Sequence, residues 1–248
     1  MENKVDAGKK VDAGKTVETP ENNATVHPVA FLLPVYKTPL LTSNLLHTAH
    51  SCGCYADCLF VLLLNSRDPS LLVYKEIIDI VREKGLSAGY FIFDGTPYCG
   101  KINRVVPIIN AQSFCVLDST HLPVTKNENG VGGQIKDWLA SSLEPMKIGV
   151  FNDEGFYPVV TRKMIERLGY MFHPLAMGRN EAENWLLALG ENLGLIGRVK
   201  DVSVIEAESF DGVEIEGWSD SEDSKWVEQT LEQILPDEVE RLQEFLLK

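Results

Sequence analysis

The chain has 248 residues, 44% of them hydrophobic and 24% charged, with 23 Lys+Arg against 36 Asp+Glu and a formal net charge of −13; this is ordinary globular composition, long enough to bury one large core or two small ones. No window approaches ~18 uninterrupted apolar residues and the N-terminus lacks an apolar h-region, which argues against a membrane span and a secretory signal and predicts a cytoplasmic protein. The acidity also argues against a general nucleic-acid binder, whose affinity rests on Lys and Arg, until it is located: residues 206–248 hold 14 acidic and 3 basic residues, whereas residues 1–205 hold 22 and 20.

Residues 1–26 are polar and contain the tandem repeat KVDAGK at 4–9 and 10–15. They are too poor in large apolar side chains to offset the entropy of ordering, which predicts a disordered tail. From His27 the texture changes. Residues 29–35 (VAFLLPV) read as a buried strand, and 38–51, with Leu40, Leu41, Leu45, Leu46 and Ala49, as a helix. Residues 58–64 (CLFVLLL) read as a second strand, 71–84 as an amphipathic helix stopped by Gly85, and 88–93 as a third strand. A helix over 101–112 and a strand over 113–117 follow.

Strands that are continuously apolar and alternate with helices predict a mostly parallel, Rossmann-like α/β sheet with helices on both faces. Ligands bind such sheets at the carboxyl ends of the strands. In the second half, 126–133 (KNENGVGG) reads as a flexible loop, 135–143 as a short helix, 147–151 as a strand, and 161–168 and 180–193 as helices. Residues 199–205 read as a last strand and 237–247 as an amphipathic helix. The predicted organisation is a tail over 1–26, one α/β domain over 27–205, and an acidic C-terminal extension over 206–248 that ends in a helix and could contact a basic protein partner.

Five cysteines at irregular spacing do not make a secreted disulfide framework. Cys58, Cys99 and Cys115 sit in or near apolar runs and read as buried thiols. The cluster His47, His50, Cys52, Cys54, Cys58 has zinc-ligand residue types at a spacing that fits no ordinary finger. The sequence also lacks a GxxxxGK[ST] loop, a GxGxxG after the first strand, a GxSxG elbow and an HExxH pair. What remains is a strand that ends in Asp118 and a helix that starts with Glu181 and Glu183.

The order of these pieces resembles that of the GT-A nucleotide-sugar glycosyltransferases, in particular the inverting family 2 group, over about residues 29–205. FLLPVYK (31–37) resembles that group's first strand and Pro-Val-Tyr-Asn turn, with Lys37 in place of Asn. NSRD (65–68) stands where the group has the acidic turn that binds the nucleotide base, and GKINR (100–104) resembles its Gly-Lys/Arg…Asn segment near the diphosphate. FCVLDST (114–120) falls at the Asp-x-Asp metal motif, while GYMFHP (169–174) followed by NEAENW (180–185) resembles the acceptor segment that carries the catalytic base.

The resemblance implies donor contacts from Pro34, Val35, Tyr36, Asn65, Asp68, Lys101, Arg104, Asp118 and Thr120. It implies a divalent metal, Mn²⁺ or Mg²⁺, at Asp118, Thr120, Glu206 and Glu208, and a base at Glu183, with Glu181 as the alternative. The chemistry asks for such residues: a departing nucleoside diphosphate needs cationic charge, hard cations take carboxylate oxygens, and an inverting transfer needs a base for the acceptor hydroxyl. Thr120 stands where a second Asp is expected, and Val204-Ile-Glu-Ala-Glu208 offers carboxylates where the group often has a His. The implied activity is therefore transfer of a sugar, from a UDP-sugar, to a hydroxyl of a glycan, lipid, protein or modified DNA base. The last of these follows compact viral and phage members of the group, for which the location would be the host cytoplasm. The alternatives are a degenerate GT-A-fold binding or scaffold protein and a sugar-nucleotide nucleotidyltransferase. Each chosen residue also has a local reading: turn residues for Asn65 and Asp68, a helix-start preference for Glu181 and Glu183, core for Trp185, and local structure for His121 and His173.

Overall fold

A computed structural model describes residues 25–141, 143–151, 157–176, 178–206 and 235–246. The repeat at 4–15 and Glu208 lie outside the described residues, as does most of the acidic segment. Nine strands and seven helices are formed among them: β1 (Ala30–Pro34), α1 (Pro39–Cys52), β2 (Leu59–Asn65), α2 (Leu71–Glu83), β3 (Ala88–Phe93), α3 (Tyr98–Val105), β4 (Ser113–Val116), β5 (His121–Val124), α4 (Gly130–Ala140), β6 (Ile148–Val150), β7 (Val159–Thr161), α5 (Arg162–Leu168), α6 (Arg179–Leu193), β8 (Ile196–Arg198), β9 (Ser203–Glu206) and α7 (Leu235–Leu246).

Seven strands form one sheet in the order β3-β2-β1-β4-β7-β6-β8, while β5 and β9 pair as a separate antiparallel ribbon. β1 to β4 are mutually parallel, with Ala30 opposite both Leu59 and Phe114, and β7 runs antiparallel to β4 and β6. Alternation along the strands splits the core in two. Phe31, Leu33, Phe60 and Leu62 pack with Leu45, Ile78 and Ile135 from α1, α2 and α4. Ala30, Leu32, Val61 and Leu63 pack with Ile102, Met164, Trp185 and Leu242 from α3, α5, α6 and α7. The sheet is thus covered on both faces, and its strands are continuously apolar because neither face meets water.

Several elements differ from the sequence expectation. α3 begins at Tyr98 and ends at Val105 rather than spanning 101–112: Pro97 precedes its first turn, and Pro107 lacks the N–H that a longer helix would need. The glycine-rich stretch read as a loop contributes the start of α4. Gly130 has φ 68°, and a Cβ there would lie 2.5 Å from the Cys54 carbonyl oxygen, so the glycines serve close backbone approach rather than flexibility. The predicted last strand at 199–205 is observed only as β9, with Asp201 at φ 57° in the turn before it, while β8 lies ahead of the predicted range and in a different sheet. β5 and β7 are additional: four and three residues long, they are too short for a periodic signal.

α7 packs against the body. Leu242 is fully buried in the second core half, with Leu235 and Val239 packed against it, and Tyr170 donates its hydroxyl to Glu238 at 3.1 Å. Leu242→Ala is expected to cost about 2–5 kcal/mol in urea unfolding, the usual range for truncating a buried leucine. A loss of only a few tenths would mean that α7 does not belong to the folded unit.

Candidate functional site

The strand order reverses between β1 and β4, and in open α/β sheets the ligand crevice lies at such a point, outside the carboxyl ends. Thr38, after β1, and Ser119, after β4, bring their hydroxyls within 3.4 Å across it.

On the β4 side, Asp118 is surrounded by donors. Its Oδ1 accepts from the backbone N–H groups of Thr120 and His121, each at 2.8 Å, and from the Thr120 hydroxyl at 2.9 Å. Its Oδ2 accepts from the Tyr157 hydroxyl at 2.7 Å and from Arg179 Nη1 at 2.8 Å. Arg179 is the first residue of α6, so Glu183 lies one turn on along the same helix face. Arg179 Nε donates to Glu183 Oε1 at 2.7 Å, and the guanidinium lies 4.3 Å from the Tyr157 ring centroid, a cation–π contact. Tyr157 is held at φ 58°, and the His121 ring is 5.5 Å from its own. Asp118, Arg179 and Glu183 therefore form one carboxylate–guanidinium–carboxylate chain.

Burial sets the electrostatics of this chain. The Asp118 carboxyl is raised by burial, but Arg179, with the Tyr157 and Thr120 hydrogen bonds and His121, outweighs that and holds it well below the usual carboxylate range. Glu183, only 3% exposed, moves the other way: burial raises its pKa and Arg179 offsets this only in part. Burial would lower the Arg179 pKa, but Glu183, Tyr98, Tyr157 and Asp118 raise it, fixing its charge. Because the folded value of Asp118 lies below the ordinary 3.8, the unfolded chain takes up its proton first as the pH falls. The stability contributed by Asp118 is complete above that value and lost below it. Thermal unfolding followed between about pH 5 and pH 3 should therefore show a steeper fall for wild type than for Asp118→Asn.

On the β1–β2 side, Asp68 is buried. Its Oδ2 accepts from the Lys37 N–H at 2.7 Å and its Oδ1 from the Ser70 N–H at 2.8 Å, tying together the turns after β1 and β2. Lys37 has φ 55°, a left-handed conformation that Asn adopts more easily than Lys. Asn65 Oδ1 accepts from the Arg67 N–H at 3.0 Å. Lys101, in α3, has its pKa lowered by burial, with Asp68 opposing the change. Pro34 and Val35 close β1, Val35 being buried. Tyr36 is exposed, with Lys37 Nζ 5.0 Å from its ring centroid. Arg104 donates to the Thr96 hydroxyl at 3.3 Å.

The structure thus gathers Asp118, Thr120 and Glu183 in one cluster and Asp68 and Lys101 in a neighbouring one. Glu181 is turned back to the start of its own helix, where Oε2 accepts from the Gly178 N–H at 3.3 Å. Glu206 is exposed on β9, opposite His121 in the ladder. Trp185, 1% exposed, packs against Tyr170 and His173 as core. All five cysteines are free thiols, and Cys58, Cys99 and Cys115 are buried. Among the described residues no group of three or more His, Cys, Asp and Glu is placed to hold a metal ion, and this includes the His47–Cys58 cluster.

Sequence reasoning missed Arg179 and Tyr157. The Arg179–Glu183 spacing was a readable signal for the first, whereas Tyr157 had none.

No protein-family model and no curated protein matches the chain. Among solved structures it is similar to the mannosyltransferase PcManGT from Pyrobaculum calidifontis in complex with GDP-Man and Mn²⁺, at 13% identity and TM-score 0.54, over 80% of this chain and 62% of that one. It is also similar to S. aureus TarS 1-349 in complex with UDP, at 9% identity and TM-score 0.53, over 70% of this chain and 58% of that one. The chain spans about three fifths of the length of each. The fold is the GT-A type of nucleotide-sugar glycosyltransferases. No helix among the described residues is long and apolar enough to cross a membrane.

Proposed function

We propose that the protein is a glycosyltransferase that moves a sugar from a nucleotide-sugar, a UDP-sugar in the first instance, to an acceptor hydroxyl by a single inverting displacement. The observation that carries this reading is the convergence of Asp118, Arg179 and Glu183 at the switch point of a GT-A sheet. Asp68, which ties together the turns after β1 and β2, and Lys101, whose charge it influences, are assigned to the nucleotide in this reading.

In the reaction the bond from the sugar's anomeric carbon to the diphosphate oxygen breaks, and the diphosphate leaves with the electron pair. The acceptor oxygen attacks from the opposite face, and its proton passes to Glu183. Burial suits Glu183 to this work, because it brings a carboxylate's proton affinity closer to that needed near neutral pH. The acceptor is a hydroxyl of a glycan, lipid, protein or modified DNA base.

Thermal shift and donor hydrolysis with a panel of UDP- and GDP-sugars test the reading. Stabilisation by at least one of them is expected, and failure of all to stabilise the protein would overturn it. A second reading, a binding protein that retains the fold, is favoured by the burial of Glu183 and its engagement with Arg179. It predicts that a nucleotide-sugar binds and is not turned over with any acceptor class.

A further inference from the structure

The metal expected from the sequence does not fit Asp118, Thr120 and Glu206, the described residues among those that would hold it; Glu208 lies outside the described residues. A hard divalent cation takes oxygen ligands with open lone pairs, from carboxylates above all. Asp118 has two oxygens with about four lone-pair sites, and five donors already point at them: two backbone N–H groups, the Thr120 and Tyr157 hydroxyls and Arg179 Nη1. Thr120, where a second acid would stand, uses its hydroxyl on that same carboxylate. Glu206 is exposed on the β5–β9 ribbon. A cation approaching Oδ2 would also meet the guanidinium 2.8 Å away, at the side of Asp118 where a ligand bond would have to form.

The Arg179 guanidinium is the cation that the structure shows beside Asp118. It bridges the strand-end acid and the acid of α6, with Nε on Glu183 and Nη1 on Asp118. It is stacked on Tyr157, and its side chain is only 20% exposed. A guanidinium carries five N–H donors in a rigid fork that matches phosphate geometry.

Resting on the transferase reading above, we propose that Arg179 is the resident cation of this crevice, and that the site receives a nucleoside diphosphate without a divalent metal. The charge that develops on the departing diphosphate then faces a fixed guanidinium held by Asp118, Glu183 and Tyr157. Asp118 is a positioning residue in this arrangement, because it acts through Arg179.

Two measurements on the full chain decide the matter. In the first, protein is titrated into Mn²⁺ and the electron paramagnetic resonance of the free ion is followed. The free-ion signal is expected to persist. Its loss at one equivalent in wild type, with recovery in Asp118→Asn, would overturn the proposal. In the second, UDP and GDP affinities are measured by calorimetry in EDTA and in Mn²⁺. The affinities are expected to agree within about twofold, and to fall about tenfold or more in Arg179→Lys, which keeps the charge and loses the fork. A gain of about tenfold or more with Mn²⁺ would overturn the proposal while leaving the transferase reading intact. Absence of nucleotide binding in both buffers would overturn the transferase reading and, with it, the nucleotide half of this proposal; the Mn²⁺ titration still decides the metal half by itself.

Discussion

Replacing Arg179 by alanine is expected to lower the unfolding free energy by about 3–5 kcal/mol, the range for removing one partner of a buried ion pair. The cost comes mainly from what is left behind. The Glu183 side chain is 4% exposed, and its Oε1 would lose the donor 2.7 Å away. Asp118, 34% exposed, keeps its backbone and hydroxyl donors and would lose less. The Tyr157 ring would lose the cation stacked on it. Urea unfolding of Arg179→Ala, Glu183→Gln and the double variant separates these parts: the double variant should be more stable than the single costs predict, with a coupling of about 0.5–3 kcal/mol. A cost below about 1 kcal/mol for Arg179→Ala, outside the range for a buried pair, would show that the chain of charges is not formed in solution.

Glu183→Gln is expected to lower sugar transfer about 10²–10⁴-fold, the usual contribution of a positioned base. Nucleotide-sugar affinity should change by no more than about twofold. The amide oxygen can still accept from Arg179 Nε, and the neutral side chain no longer bears the cost of a buried charge, so the fold should persist. The variant thus separates chemistry from packing. If it transferred sugar at the wild-type rate, Glu183 would not be the base. Glu181→Gln should leave transfer largely intact, because that carboxylate accepts from the N–H of Gly178, the cap residue just before its own helix.

The first half of the fold was legible because its strands are buried on both faces. VAFLLPV, CLFVLLL and SFCVL leave few alternatives, and each gave a strand within a residue or two at its ends. The glycines of α4 misled because glycine content reads locally as flexibility, whereas Gly130 is required by the approach of the Cys54 backbone and Gly132 sits tightly against Asp57, Cys58 and Pro28. β7, antiparallel within an otherwise parallel neighbourhood, is fixed by its pairing with β4 and β6, which three residues cannot announce.

The candidate site divides in the same way. Asp118 and Glu183 could be picked out because each sits at the end of an element whose period is readable. Tyr157 is 39 residues from Asp118, and only the folded chain brings them together. The donor set that saturates Asp118 is likewise a tertiary property. From sequence, a Thr two residues after an Asp reads as a defective metal motif; in the structure it is one of the hydrogen bonds that aim the carboxylate at Arg179.

The docking of α7 changes the topology of the acidic segment. β9 ends at Glu206 and α7 begins at Leu235, so residues 207–234, with nine acidic residues and one lysine, are fastened to the body at both ends. A single cut within this segment would leave two polypeptides held by the burial of Leu235, Val239 and Leu242 and by the hydrogen bonds of Glu238 and Arg241 to Tyr170 and Leu168. The protein is in this sense a pre-assembled pair, a body and a helical plug, that happen to be translated as one chain.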